Sequence, residues 1–156
     1  MIGRRGVVGG GTGAMLALGA ARAVAAALPA PIGPVVLTLT GRVANRNAGD
    51  AAAFDMAMLE ALPQHEIVAP TPWFDEPRRF GGPLLRDVLA AAGATGTTLK
   101  ASALNNYRVE IPFDDAVRHD VVLARLLDGK PMSVREKGPL FVMYPFDRRP
   151  ELRNAV

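Results

Sequence analysis

His65 and His119 are the only imidazoles in the chain, and there is no cysteine. Without a thiol, disulfides, thiolate nucleophiles, Cys-ligated zinc and iron–sulfur clusters are all excluded. The two histidines belong to no HxxxH or HxH pair, so a metal site would need carboxylates delivered by the fold, and two ordinary histidines are expected instead. Ser102 and Ser133 are the only serines, and neither sits in a G-x-S-x-G elbow, so acyl transfer has no local support. Asp114–Asp115 looks like a carboxylate pair, but adjacent residues point apart and Asp at a helix start is a capping choice. Gly9–Gly13, "GGGTG", has neither a preceding strand nor a following Lys and is no phosphate loop.

What remains is binding chemistry. "EIVAPTPWFDEPRRFGG", Glu66 to Gly82, reads as a strand, a Pro-rich loop carrying the only Trp, and a turn. Loops hung from a rigid strand often carry function. Trp73 is either a core aromatic or a pocket wall. Arg135, Glu136 and Lys137 precede Gly138–Pro139 and read as a solvated charged turn or as an anion contact at a pocket edge, where Arg grips a phosphate bidentately.

The totals bound the partners. The chain has 156 residues, 49% apolar and 21% charged, enough for one globular domain with a real core. The net charge of +3 is concentrated at the start: Arg4, Arg5 and Arg22 fall in the first 25 residues, with no Asp or Glu beside them. The rest carries equal numbers of basic and acidic residues and has no basic stripe interleaved with aromatics, so nucleic acid is not an expected partner. Residues 1–25 have the parts of an export signal: a basic start, an uncharged Gly-rich run from Gly6 to Ala21, and Ala23-Val24-Ala25 as a cleavage site. The run is too short and too weakly apolar for a membrane anchor. Arg4–Arg5 raises the twin-arginine route. An exported, periplasmic protein is expected, with its domain over residues 28–156.

The elements follow from pattern. Pro34–Thr40 reads as a strand closed by Gly41. Asp50 is placed to cap a helix over Ala51–Leu62, with Phe54, Ala57, Met58, Ala61 and Leu62 as one stripe and Pro63 as the stop. Gln64–Ala69 is a strand. Pro83 opens a helix to Ala92 that turns Leu84, Leu85, Val88, Leu89 and Ala92 inward and ends at Gly93. Thr98–Leu104 is a strand and Asn105–Asn106 a turn. Tyr107–Ile111 alternates Tyr107, Val109 and Ile111 against Arg108 and Glu110. "FDDAVRH" is a helical turn, Val121–Leu127 a strand, Asp128–Gly129 a tight turn, and Leu140–Tyr144 a strand. Helices and strands interleave without regular alternation, which favours α+β over a wound parallel sheet.

In this order the segments resemble the molybdopterin-binding domain of the sulfite-oxidase-type oxidoreductases, and more closely its small, exported, single-domain members. The carrying residues are "RRFGGPLLRDVLAAAGA" (78–94), "NNYRVEIPFDDA" (105–116) and "LARLLDGKPMSVREKGPLFVMYP" (123–145). The resemblance spans about Pro34 to Pro145. It implies a single-domain, mainly β, mixed α+β fold around a pterin pocket, with molybdopterin as the cofactor.

It also implies a molybdenum-ligating Cys near the end of the strand before the Trp segment. The corresponding stretch, Val68–Thr71, offers no sulfur, and Thr71 is a hard, neutral substitute. Arg78 and Arg79 lie in the neighbourhood of the family's oxyanion-binding arginines without aligning to them. The family usually continues into a further strand with Trp and Lys, whereas here the sequence ends at "RPELRNAV", one strand short by that comparison. The expectation is therefore a non-catalytic domain that binds a small anionic or pterin-like ligand at Trp73, Asn105, Tyr107, Arg135 and Lys137, with no metal and no catalytic residue. Two alternatives stay open: a molybdopterin-dependent oxidoreductase with a non-thiolate metal position, and an interaction module for a periplasmic or membrane-sensor protein.

Overall fold

A computed structural model describes residues 27–149 and Leu152. The expected export signal lies outside the described residues. Among those residues no helix is long and apolar enough to cross a membrane.

The chain is mostly β, with three short helices. β1 (Val35–Leu39) pairs antiparallel with β2 (Ala52–Asp55), which leads into α1 (Met56–Ala61). β3 (Gln64–Thr71) and β4 (Phe74–Pro83) form a long hairpin. After α2 (Leu85–Ala91), β5 (Thr98–Ser102) and β6 (Arg108–Pro112) form a second hairpin, followed by α3 (Phe113–Arg118). β7 (Val122–Ala124), β8 (Leu126–Leu127) and β9 (Lys130–Pro131) precede a 3-10 turn (Val134–Glu136) and β10 (Phe141–Met143). The largest sheet has the order β3-β4-β8-β9, and β7 pairs with β10.

The helix expected over Ala51–Leu62 is half strand. Ala52–Asp55 extends along β1, and Asn47 locks it there: its Oδ1 accepts from Ala53 N at 2.7 Å, and its Nδ2 donates to Ala53 O at 2.8 Å. The helix cap is Asp55 rather than Asp50. Asp55 is buried, and its carboxylate accepts from Met58 N at 2.9 Å, Ile32 N at 2.8 Å and Gly33 N at 2.9 Å. Those bonds hold its pKa below the ordinary carboxylate value, with the Gly33 N–H the largest cause and Met58 next. The apolar stripe changes accordingly: Phe54 is buried as a strand residue, Leu59 becomes the buried face of α1, and Ala57 and Ala61 are exposed.

The segment expected to be a Pro-rich loop and turn is a strand. Ile67 faces Phe80, Val68 faces Arg79 and Ala69 faces Arg78. The register then slips before Thr71 meets Phe74, and this irregularity accommodates Pro70 and Pro77 within the ladder. Pro83 ends β4 rather than opening a helix, and α2 starts at Leu85 without a side-chain cap. Gly93 ends α2 at φ +60°, as its position predicts.

The strand expected over Val121–Leu127 breaks at Arg125. Its N–H donates to Gly81 O at 2.8 Å, while its side chain crosses to Gln64 Oε1 at 2.9 Å and Glu60 Oε1 at 3.0 Å. Three apolar clusters result. One joins Ile67, Phe80, Leu127, Met132 and Met143 under the long hairpin, and a second joins Phe54, Leu59, Val88 and Leu123 under α1. The third joins Leu85, Leu89, Ile111, Val121 and Tyr144 under α3.

Candidate functional site

The tip of the β3–β4 hairpin carries the candidate site. Pro72 and Trp73 form the turn, and the indole is 53% exposed. Its edge meets Phe141 on β10 at 5.5 Å between ring centres, and Phe141 stacks on Phe80 at 5.8 Å. The aromatic row thus ties an exposed ring to the core under the hairpin, which fixes its direction while leaving a face for a ligand.

Lys137 lies over the same indole, its Nζ 5.2 Å from the ring centre. Its backbone is left-handed, φ 70°, at the end of the 3-10 turn. That turn is held by a capping box: Glu136 N donates to Ser133 Oγ at 3.3 Å and Ser133 N donates to Glu136 Oε2 at 3.1 Å. The two bonds from Ser133, backbone first, hold the Glu136 carboxyl below its ordinary value. Arg135 sits within this turn and is exposed.

A groove of about 590 Å³ opens beside Trp73, lined also by Phe74, Asp75, Glu76, Pro77, Arg78 and Asp128. Arg78 spans it. Its guanidinium lies 4.7 Å from the Phe74 ring centre, and its Nε donates to Asp128 Oδ2 at 2.5 Å. Asp128 also accepts from Arg79 N at 3.0 Å. That backbone bond, followed by the Arg78 side chain, lowers the Asp128 pKa. Asp128 and Gly129 take φ 50° and 79°, the paired left-handed conformation of a tight hairpin turn, as their sequence predicts.

The family the chain belongs to is decided by a match to the oxidoreductase molybdopterin binding domain over residues 36–146. It is a member of that family. No curated protein matches the chain. The matched span runs from β1 to just past β10 and therefore takes in the whole hairpin-tip site.

The structure brings together only part of the expected site of this molybdopterin-binding-family domain. Trp73 and Lys137 are in contact, and Arg135 shares the Lys137 turn. Asn105 and Tyr107 lie instead in the turn between β5 and β6 and do not line the groove. Asn105 Oδ1 accepts from Tyr107 N at 3.1 Å, so it shapes its own turn, and the Tyr107 side chain is exposed. Sequence reasoning missed the acidic wall, Asp75, Glu76 and Asp128. The Arg78–Asp128 pair had no local signal because it joins residues 50 apart. The capping box had one, the S-x-x-E spacing of Ser133 and Glu136.

The residues available do not suit molybdenum held by a protein thiolate. Along the stretch where such a ligand is expected, Ala69 is a buried methyl, and Thr71 Oγ1 accepts from Trp73 N at 3.4 Å. Among the described residues no three His, Cys, Asp or Glu side chains converge. The organic part of the cofactor fits better. A pterin ring needs an aromatic face, a carboxylate for its amino-pyrimidine edge and a cation for its phosphate, and the hairpin tip carries all three types.

Proposed function

We propose that this domain is a non-catalytic member of the sulfite-oxidase type that binds a pterin-like ligand at the β3–β4 hairpin tip. The observation that carries the reading is the union of Trp73, Lys137 and the acidic groove on a chain with no thiol. Trp73 and Phe74 offer ring faces. Asp75 or Glu76 accepts from the adjacent N–H donors of the pyrimidine edge, as a carboxylate does from any planar fork of donors. Lys137 and Arg135 supply charge to an anionic tail. Without a soft protein ligand to complete a metal centre, oxygen-atom transfer lacks its usual anchor. The basic start, the uncharged run and Ala23-Val24-Ala25 support export to the periplasm.

Trp73 is the only Trp, so its fluorescence reports on this site directly. Titration with a pterin phosphate is expected to quench it saturably. Lys137→Ala should weaken binding by roughly tenfold, the scale of one charge-assisted contact. A ligand that leaves Trp73 fluorescence unchanged, or binds Lys137→Ala and wild type equally, would refute the reading.

A further inference from the structure

A second recess, sharing no residue with the hairpin-tip groove, lies between the end of α3 and the turn after β10. It encloses about 290 Å³ and is lined by Arg118, His119, Asp120, Pro145, Arg148 and Arg149. Three arginines and one aspartate are among the residues that line it. Asp120 is engaged from outside the ring of lining residues, because Arg86 Nη1 sits 2.9 Å from its Oδ1. Arg118 and Arg148 are weakly held. Arg118 meets Asp114 at 3.4 Å with both side chains about three-quarters exposed, and Arg148 meets its chain neighbour Asp147 at 3.8 Å. Exposed pairs of this kind contribute little, so a better anion displaces them readily.

The recess is also held in shape. Tyr144 is buried, donates to Asp115 Oδ2 at 3.1 Å and stacks on Phe146 at 5.9 Å, which fixes both ends of Pro145. The N–H groups of Arg148 and Arg149 donate to Pro145 O, and that of His119 to Asp115 O. Those three backbone donors are spent on the two turns, which leaves recognition to the side chains. His119 Nδ1 is buried with no hydrogen-bond partner among the described residues, an unsatisfied group that calls for an explanation.

We infer that this recess binds a small phosphate-class oxyanion, with Arg118 and Arg148 as its principal donors. A planar guanidinium fork matches two oxygens of a phosphate, and two forks from different segments match a tetrahedral anion. The volume admits a phosphate or a small phosphomonoester.

The test is calorimetric titration of the purified protein at low ionic strength with inorganic phosphate and, separately, glycerol 3-phosphate. Saturable binding of either is expected. Tighter phosphate points to the free ion as ligand, and tighter ester to a phosphorylated metabolite. Arg118→Ala and Arg148→Ala should each weaken binding about tenfold. Arg118→Lys should lose less, because it keeps the charge without the fork. Asp120→Asn should tighten binding several-fold by removing the carboxylate that lines the recess among the described residues, and Lys100→Ala, on β5 outside the recess, should change nothing. Unfolding midpoints without ligand separate lost binding from lost structure. Absence of saturation by both ligands, or equal losses from Lys100→Ala and Arg118→Ala, overturns the inference. Because Trp73 takes no part here, neither result bears on the pterin reading.

Discussion

Two neighbouring glycines in β4 predict opposite outcomes for the same added methyl. On Gly82 a Cβ would lie on the Leu123 carbonyl oxygen, 2.9 Å from Leu123 C and 3.1 Å from Ala124 Cα. Relaxed carbon contacts sit at about 3.5–4.0 Å and the carbonyl oxygen is closer still, so β4 and β7 would have to part by roughly 1 Å or more. The obstruction is backbone, so no rotamer change relieves it. The segments that flank this contact are tied by Arg125 N, just after β7, to Gly81 O and by Leu85 N, just after β4, to Val121 O, each 2.8 Å. Overpacking costs about 1–3 kcal/mol, and weakening one of those bonds about 1 kcal/mol more. Gly82→Ala should therefore lose about 3 kcal/mol. For a chain of this length that lowers Tm by roughly 6–12 °C.

On Gly81 the added methyl meets Leu126 Cβ at 3.7 Å and His65 O at 3.9 Å, ordinary contacts, and the backbone there is not left-handed. Restricting the unfolded chain then offsets any crowding, and Gly81→Ala should stay within about 1 kcal/mol of wild type. Urea unfolding followed by circular dichroism measures both variants. Equal midpoints for Gly82→Ala and wild type, or an equal loss at Gly81, would refute the placement of β7 against β4.

Arg125→Met should lose about 1–2 kcal/mol in the same assay, because a side chain only 15% exposed gives up Glu60 and Gln64 together. Tyr144→Phe should lose about 0.5–1.5 kcal/mol through its bond to Asp115. Burial and the neighbouring Asp115 carboxylate keep that phenol protonated, so the loss should not vary between pH 6 and 9. Asp55, Asp128 and Glu136 all have lowered folded-state pKa values. Their stabilisation is present above the unfolded values and is lost as pH falls below about 4 through the folded ones. Acid titration of wild type should show that loss. Asp55→Asn should start from a lower plateau and fall less steeply, and a slope equal to wild type would count against the Asp55 hub.

Strong periodicity made α2 and β6 readable. Leu85, Val88 and Leu89 recur at helical spacing before a glycine, and Val109 and Ile111 alternate with charged residues. Ala51–Leu62 misled because alanine fits either element, and the decision was made at a distance by Asn47 and β1. The hairpin tip was hidden by Pro70, Pro72 and Pro77, which read locally as breakers but sit in its turn and register slip. Of the candidate binding residues, Trp73 was legible as the only Trp and Lys137 as part of a charged turn. That they meet, and that Asn105 and Tyr107 stand apart, depends on the path of β10 and on the separate β5–β6 hairpin.

The central claim is that this domain keeps a pterin-family frame without a metal anchor. Purifying the protein from a host that synthesises the cofactor and measuring molybdenum per chain by elemental analysis tests it most directly. Far less than one molybdenum per chain is expected, and one tightly bound molybdenum per chain would contradict it.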